Sequence, residues 1–167
     1  RREVFEKIGL FDEEFDVCND VELNHRIKAG GLKSFISPKL QVFLYPRATI
    51  QSLWRHMSRV GRGRFRFTQK HNIFSPLQWF AGAALLGLLV LAFLSLMSRP
   101  FFEVFRTIIA IYVLTVIGYS FYLYTREKRL SCLLYGPAVF VAIHFGLASG
   151  FLRALIDSLL KKRRPES

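Results

Sequence analysis

Residues 79–97 read WFAGAALLGLLVLAFLSLM, a run without a single charged side chain. At about 1.5 Å per helical residue it covers roughly 30 Å, the thickness of a bilayer's hydrocarbon core, and its leucines each favour insertion. A helix buried in a soluble core rarely needs that length, so the chain reads as a membrane protein. A second uncharged run, Thr107 to Tyr124, supports the same class. A third apolar stretch begins after Arg129 and reaches about Leu152, interrupted by Gly136-Pro137 and carrying one ionisable residue, His144. The expectation is a helical membrane region over 76–160 with two to three spans, at about 79–97, 107–124 and 130–152.

Upstream of the first run the charge pattern sets the orientation. The formal net charge is +12, and no Asp or Glu occurs between Glu22 and Glu103. From Thr49 the pattern turns helical, with Leu53, Trp54, Met57 and Val60 on one side and Arg55, Arg59 and Arg62 on others. Residues 49–75 therefore read as a basic helix and linker lying on the membrane. Arg47, Arg55, Arg59, Arg62, Arg64, Arg66 and Lys70, interleaved with Phe65 and Phe67, are attracted to anionic headgroups by about 1 kcal/mol each. Anionic lipid is the expected partner of this charge, nucleic acid is not, and the same charge suits a diphosphate. The loop at 98–106 holds only Arg99 and Arg106, so the far richer segment before the first span is placed in the cytoplasm. A third complete span would then leave the basic tail at 161–167 outside, against the same rule. Two resolutions stay open: a re-entrant third segment, or an interfacial helix over 151–162 with Leu152, Leu155 and Leu159 inward.

Residues 1–48 are expected to be the end of a soluble α/β domain. A short helix from Arg1 to Ile8 stops at Gly9, and a second from Asp20 to Ala29 stops at Gly30-Gly31. Lys33 to Ser37 and Leu40 to Tyr45, punctuated by Pro38 and Pro46, are expected to be two short strands. Arg1 opens directly into an amphipathic pattern with no initiator methionine, so the chain reads as a fragment. Cys18 and Cys132 fall in different regions and offer neither a disulfide framework nor metal-ligand spacing.

Glu6-Lys7-Ile8-Gly9-Leu10-Phe11-Asp12-Glu13, then Asn19-Asp20-Val21-Glu22-Leu23-Asn24-His25-Arg26, then Gly30, Pro38 and Tyr45-Pro46-Arg47, resemble in order and spacing the family 2 glycosyltransferases. Within that family the succinoglycan-type exopolysaccharide enzymes are most similar. The resemblance covers Arg1 to about Arg66 and weakens through the spans. It implies that the polar part is the C-terminal portion of a Rossmann-like catalytic domain. It also implies a multi-pass protein of the bacterial inner (cytoplasmic) membrane, with its catalytic part on the cytoplasmic side. The implied reaction is inverting transfer of a sugar from a nucleotide-diphosphate donor to a saccharide acceptor, the implied partners being that donor and a lipid-linked acceptor.

The resemblance assigns Asp20 as the general base. A sugar hydroxyl is a poor nucleophile until its proton is taken, and a helix N-terminus keeps the accepting carboxylate ionised. Taken alone, Asp20 would read as an N-cap. The family's acid before this Asp is Asn19 here, a departure that removes one charge. Asp12 and Glu13 match the Phe-Asp-Glu segment near the acceptor site, with a solvated loop as the equally open alternative. Arg26 matches a recurrent Arg and reads mainly as a partner for Glu22 at helical spacing. His56-Met57-Ser58-Arg59-Val60 stands where related processive enzymes carry Gln-x-x-Arg-Trp. Only Arg59 matches, where it would face the departing diphosphate or else lipid. His25 and His71 read as surface residues, and His144 as a neutral group bonded to a neighbouring helix. The family's Asp-x-Asp has no counterpart here, so the divalent metal (Mg or Mn) implied for the complete protein finds no ligands in this chain, and the fragment alone is expected to be inactive. The competing reading is a non-catalytic membrane scaffold or assembly module.

Overall fold

The computed structural model describes residues 2–43, 45, 47–73 and 76–162. Arg1, Pro46 and the basic tail from Arg163 onward lie outside the described residues. Six helices follow one another: α1 (Arg2–Ile8), α2 (Asn19–Ala29), α3 (Ile50–Lys70), α4 (Pro76–Ser95), α5 (Arg99–Glu127) and α6 (Leu130–Lys162).

The expected α/β remnant is corrected by this architecture: no strand occurs among the described residues. Residues 33–43 and Tyr45 pair with no neighbouring chain segment, and a strand exists only through the ladder that satisfies its backbone groups. Their bulky side chains face outward, with Phe43 89% and Tyr45 92% exposed. Pleat-compatible composition without a partner is not a sheet.

Helix α3 starts where Thr49 accepts a hydrogen bond from the Ser52 backbone N–H while Ser52 accepts one from the Thr49 N–H, a reciprocal cap. Its packing is decided by glycine. A Cβ on Gly150 would stand 1.9 Å from the Ser58 carbonyl oxygen, and one on Gly61 would stand 2.1 Å from that of Leu147. Gly146 likewise meets Met57 and the Trp54 backbone. The backbones of α3 and α6 thus touch through Gly146 and Gly150, a small-residue spacing that permits close helix approach. Contacts advance together along both helices, from Trp54 with Gly146 to Gln69 Nε2 donating to Ser158 Oγ at 2.8 Å, so the two run parallel.

Phe65 and Phe151, each 2% exposed, meet edge to face at 5.1 Å, and Trp79 also meets Phe151 edge to face at 5.4 Å. This cluster joins α3, α4 and α6. Helix α5 returns antiparallel to α6: Ser120 abuts Gly136, Tyr119 meets Phe140, and Tyr112 lies beside His144. Two helices, Arg99–Glu127 and Leu130–Leu160, are long and apolar enough to cross a membrane. The apolar part of α4, Trp79–Ser95, is shorter. Helix α6 continues unbroken through Gly136-Pro137 and through residues 151–162.

The seam makes a paired prediction. Gly150→Ala should lower thermal stability in detergent by about 1–3 kcal/mol, because the new methyl collides with backbone rather than with a movable side chain. Gly87→Ala in α4, whose Cβ would meet nothing within 4 Å, should be neutral or gain up to about 1 kcal/mol. Equal melting shifts for the two variants would remove the seam from its structural role.

Candidate functional site

Helix α2 carries the acids singled out in the sequence, and the structure gives them opposite environments. Glu22 is fully buried. Its carboxylate accepts from Arg26 Nε at 2.9 Å and Nη2 at 2.8 Å, and His71 Nε2, at the C-cap of α3, lies 3.1 Å from Oε1. An ionised carboxylate only accepts, so this His71 nitrogen carries the proton. Arg26 spends its remaining donors on the Ile8 and Leu10 carbonyls, the latter at 2.7 Å, across the turn that Gly9 makes at φ 81°. One buried carboxylate thus ties α1, α2 and the end of α3 together. Burial opposes its ionisation, but the bonds and charge of Arg26, followed by His71 and Lys70, outweigh that and hold its pKa below the ordinary value.

Asp20 sits in the first turn of α2, exposed, and its carboxylate has no hydrogen bond or ion pair among the described residues. It is not the N-cap. That position belongs to Cys18, which is left-handed at φ 64° and makes no side-chain cap, while Asn19 Oδ1 accepts from the Asp20 N–H at 3.0 Å. The start of α2 rests on the middle of α3. Cys18 Sγ lies 3.9 Å from the Val60 carbonyl, and a Cβ on Gly63 would stand 2.9 Å from Val17. Burial first pushes the Cys18 thiol above its ordinary pKa, with Arg64 beside it acting the other way.

Asp12 pairs with Lys70 and accepts from the Glu14 N–H at 3.0 Å. Its pKa is held low, first by the Lys70 hydrogen bond. Glu13 is exposed. Arg66 Nη1 donates to the Glu14 carbonyl at 3.0 Å, so it secures the same loop.

The remaining basic residues converge elsewhere. Arg55, Arg59 and Arg62 line an open cleft of about 460 Å³ between α3 and α6, joined by Arg47 before α3 and Arg153 on α6. Trp54, Ser52 and Ser58 complete its walls. Arg47 Nη2 lies 3.4 Å from His56 Nδ1. Burial first, then the charges of Arg47 and Arg59, push His56 below its ordinary pKa, so its ring is neutral at neutral pH.

Two groups were not legible beforehand. His71 and His25 are not plain surface residues: His71 holds Glu22, and His25 meets Phe67 edge to face at 5.5 Å. Arg153 joins the cleft through a contact between distant segments that no local pattern signals. His144 Nδ1 lies 3.2 Å from the Tyr112 hydroxyl of α5. No group of three or more His, Cys, Asp or Glu side chains able to hold a metal occurs among the described residues.

The chain is 26% identical over 160 residues, 94% of its length, to the succinoglycan biosynthesis protein ExoA of Rhizobium meliloti, and spans 46% of that protein. It is 62% identical over 34 residues, 20% of its length, to the O-antigen biosynthesis protein RfbC of Myxococcus xanthus, of which that match covers 3%. The chain therefore spans less than half the length of either relative. No protein-family model and no solved structure matches it.

The acid node predicts a pH dependence. Glu22 and Asp12 have folded-state pKa values below their ordinary ones. The stability they contribute is complete at neutral pH and is lost as pH falls through about 4 and below. Amide protection factors over residues 2–30, corrected for intrinsic exchange, should fall across that acid range. Glu22→Gln should exchange faster already at pH 7, by about 1–3 kcal/mol of lost protection, and show a shallower acid slope. Wild-type exchange in that variant at both pH values would contradict the assignment.

Proposed function

We propose that the chain is the membrane-anchored C-terminal part of an inverting, family 2-type glycosyltransferase of exopolysaccharide synthesis. The complete protein transfers a sugar from a nucleotide-diphosphate donor to a saccharide acceptor, a lipid-linked one, with Asp20 as general base. Residues 1–48 belong to the catalytic part, 49–75 lie at the membrane interface, and 76–160 anchor the protein in the bacterial inner membrane with the catalytic part cytoplasmic. The similarity to proteins named for succinoglycan and O-antigen biosynthesis supports the polysaccharide setting. The two apolar helices support the membrane setting.

The observation that carries the base assignment is the contrast between the acids of α2. Glu22 is consumed by Arg26 and His71, whereas the Asp20 carboxylate stands exposed at the positive end of the same helix. Such a carboxylate is open to an incoming hydroxyl, and it takes the proton as the acceptor oxygen attacks the anomeric carbon. Glu22 and Arg26 position that helix. Asp12 and Glu13 flank the acceptor side, though Asp12 is also bound to Lys70. Arg59 and neutral His56 face the departing diphosphate, whose growing negative charge the guanidinium neutralises. The divalent metal of the complete protein has no fitting ligand cluster among the described residues, and no step here runs through it.

In the complete protein Asp20→Asn should lower sugar transfer by roughly 10²–10⁴-fold while membrane insertion and donor binding stay near wild type. Transfer assays on membranes, with donor binding measured separately, check this. Full activity in Asp20→Asn would overturn the assignment.

A further inference from the structure

On α3 the residues Arg55, Arg59, Arg62 and Arg66 recur at intervals of four, three and four, so they form one stripe along the helix. The stripe lies between two occupied faces. Gly61 and Phe65 face α6, and Gly63 and Phe67 face Val17 and His25 of the N-terminal part. Packing on both sides fixes the direction in which the arginines project. Arg66 is used by the Glu14 carbonyl, but Arg55, Arg59 and Arg62 form no ion pair among the described residues, and neither do Arg47 and Arg153. Asp157, one turn beyond Arg153 on α6, is exposed and makes no ion pair with it.

Five guanidinium groups gathered in one cleft repel one another, and no acidic side chain among the lining residues offsets them. Arg153 arrives only because the glycine seam draws α6 against α3. The suppressed basicity of His56 reports the same positive potential, after burial. A cleft of about 460 Å³ falls within the size range of small-molecule sites. Guanidinium forks match phosphate oxygens in pairs, and the Ser58 hydroxyl supplies a neutral donor beside them. Arg153 is the first Asp, Glu, Lys or Arg of α6, after the uncharged run from Leu130 to Leu152, and Trp54 lines the cleft, an indole being a side chain enriched at membrane–water interfaces.

We propose that the cleft between α3 and α6, lined by Arg47, Arg55, Arg59, Arg62 and Arg153, binds an anionic phosphoryl group, with Arg153 closing the site from α6. Two sources share this chemistry, the headgroup of an anionic lipid and a soluble diphosphate. The site stands on its own geometry. It extends the transferase reading at Arg59 but does not require Asp20 to act as a base.

The test uses the full chain purified in neutral detergent. Calorimetric titration with inorganic pyrophosphate forms one arm, and phosphatidylglycerol against phosphatidylcholine in mixed micelles forms the other, each at two salt concentrations. Arg59→Gln/Arg153→Gln should weaken binding at least tenfold. Arg55→Gln/Arg62→Gln provides a second pair should the first lose its helical circular dichroism. The control Arg99→Gln/Arg129→Gln removes the same charge outside the cleft and should stay within twofold of wild type. Saturable pyrophosphate binding without preference for phosphatidylglycerol identifies a soluble diphosphate as the ligand. Preference for phosphatidylglycerol, competing with pyrophosphate, identifies a headgroup. Binding of neither probe, or equal losses in the cleft and control variants, overturns the proposal. Phosphate binding retained in Asp20→Asn separates failure of this site from failure of the base.

Discussion

Backbone contact between α3 and α6 is the constraint on which the rest depends. Where one helix presents its peptide oxygens to another within van der Waals reach, no Cβ fits. Gly61, Gly146 and Gly150 stand at those points, facing the Leu147, Trp54 and Ser58 backbones. In a membrane, apolar surface gives little driving force for helix association, so interlocking shape must supply it. The aromatic cluster of Phe65, Trp79 and Phe151 then locks α4 to the same seam. Helix α2, which rests on α3, is held relative to α4, α5 and α6 through this contact.

Helix α3 acts as a two-sided beam. One face takes α6, and the opposite face takes the Phe15 to Cys18 loop and α2 through Gly63, Phe67 and His71. The second joint is electrostatic where the first is steric. A buried carboxylate without partners would be costly, so Glu22 holds its place only while Arg26 and His71 hold theirs. That coupling leaves Asp20, two residues away, as the acid of α2's first turn free of structural duty.

Much of this was legible in the residues, and the losses have identifiable causes. Helices α1, α2 and α3 follow from apolar spacing and from Gly9, Gly30 and Thr49 at their ends, because those signals are local. The segment from Lys33 to Tyr45 was read as strands from composition, but strand formation depends on a partner that composition does not contain. Conversely, VGRGRFRF at 60–67 alternates small or apolar residues with arginines as a strand would, yet it is helical with two opposite buried faces. The roles of His71 and Arg153 rest on contacts across 49 and about a hundred residues of chain, beyond any periodicity. Among the site residues, Asp12 and Arg66 have partners 58 and 52 residues away in the chain, which a motif match does not disclose.

The arginine stripe shows why steric and electrostatic design meet in one helix. Like charges a few ångströms apart at a water-exposed surface repel by roughly 1 kcal/mol or less per pair, a cost that good packing absorbs. Were α3 free to roll, the arginines would turn apart toward solvent and the cleft would dissolve. The faces that prevent this are set by Gly61 and Gly63, which flank Arg62 in the sequence, and by Gly150, three residues before Arg153. Arg153 shares a cleft with Arg59, and the start of α2 rests on α3 at Gly63, because two faces of α3 are occupied and hold it against rotation. Cleft and candidate base are therefore linked through one rigid element, although neither touches the other's partners.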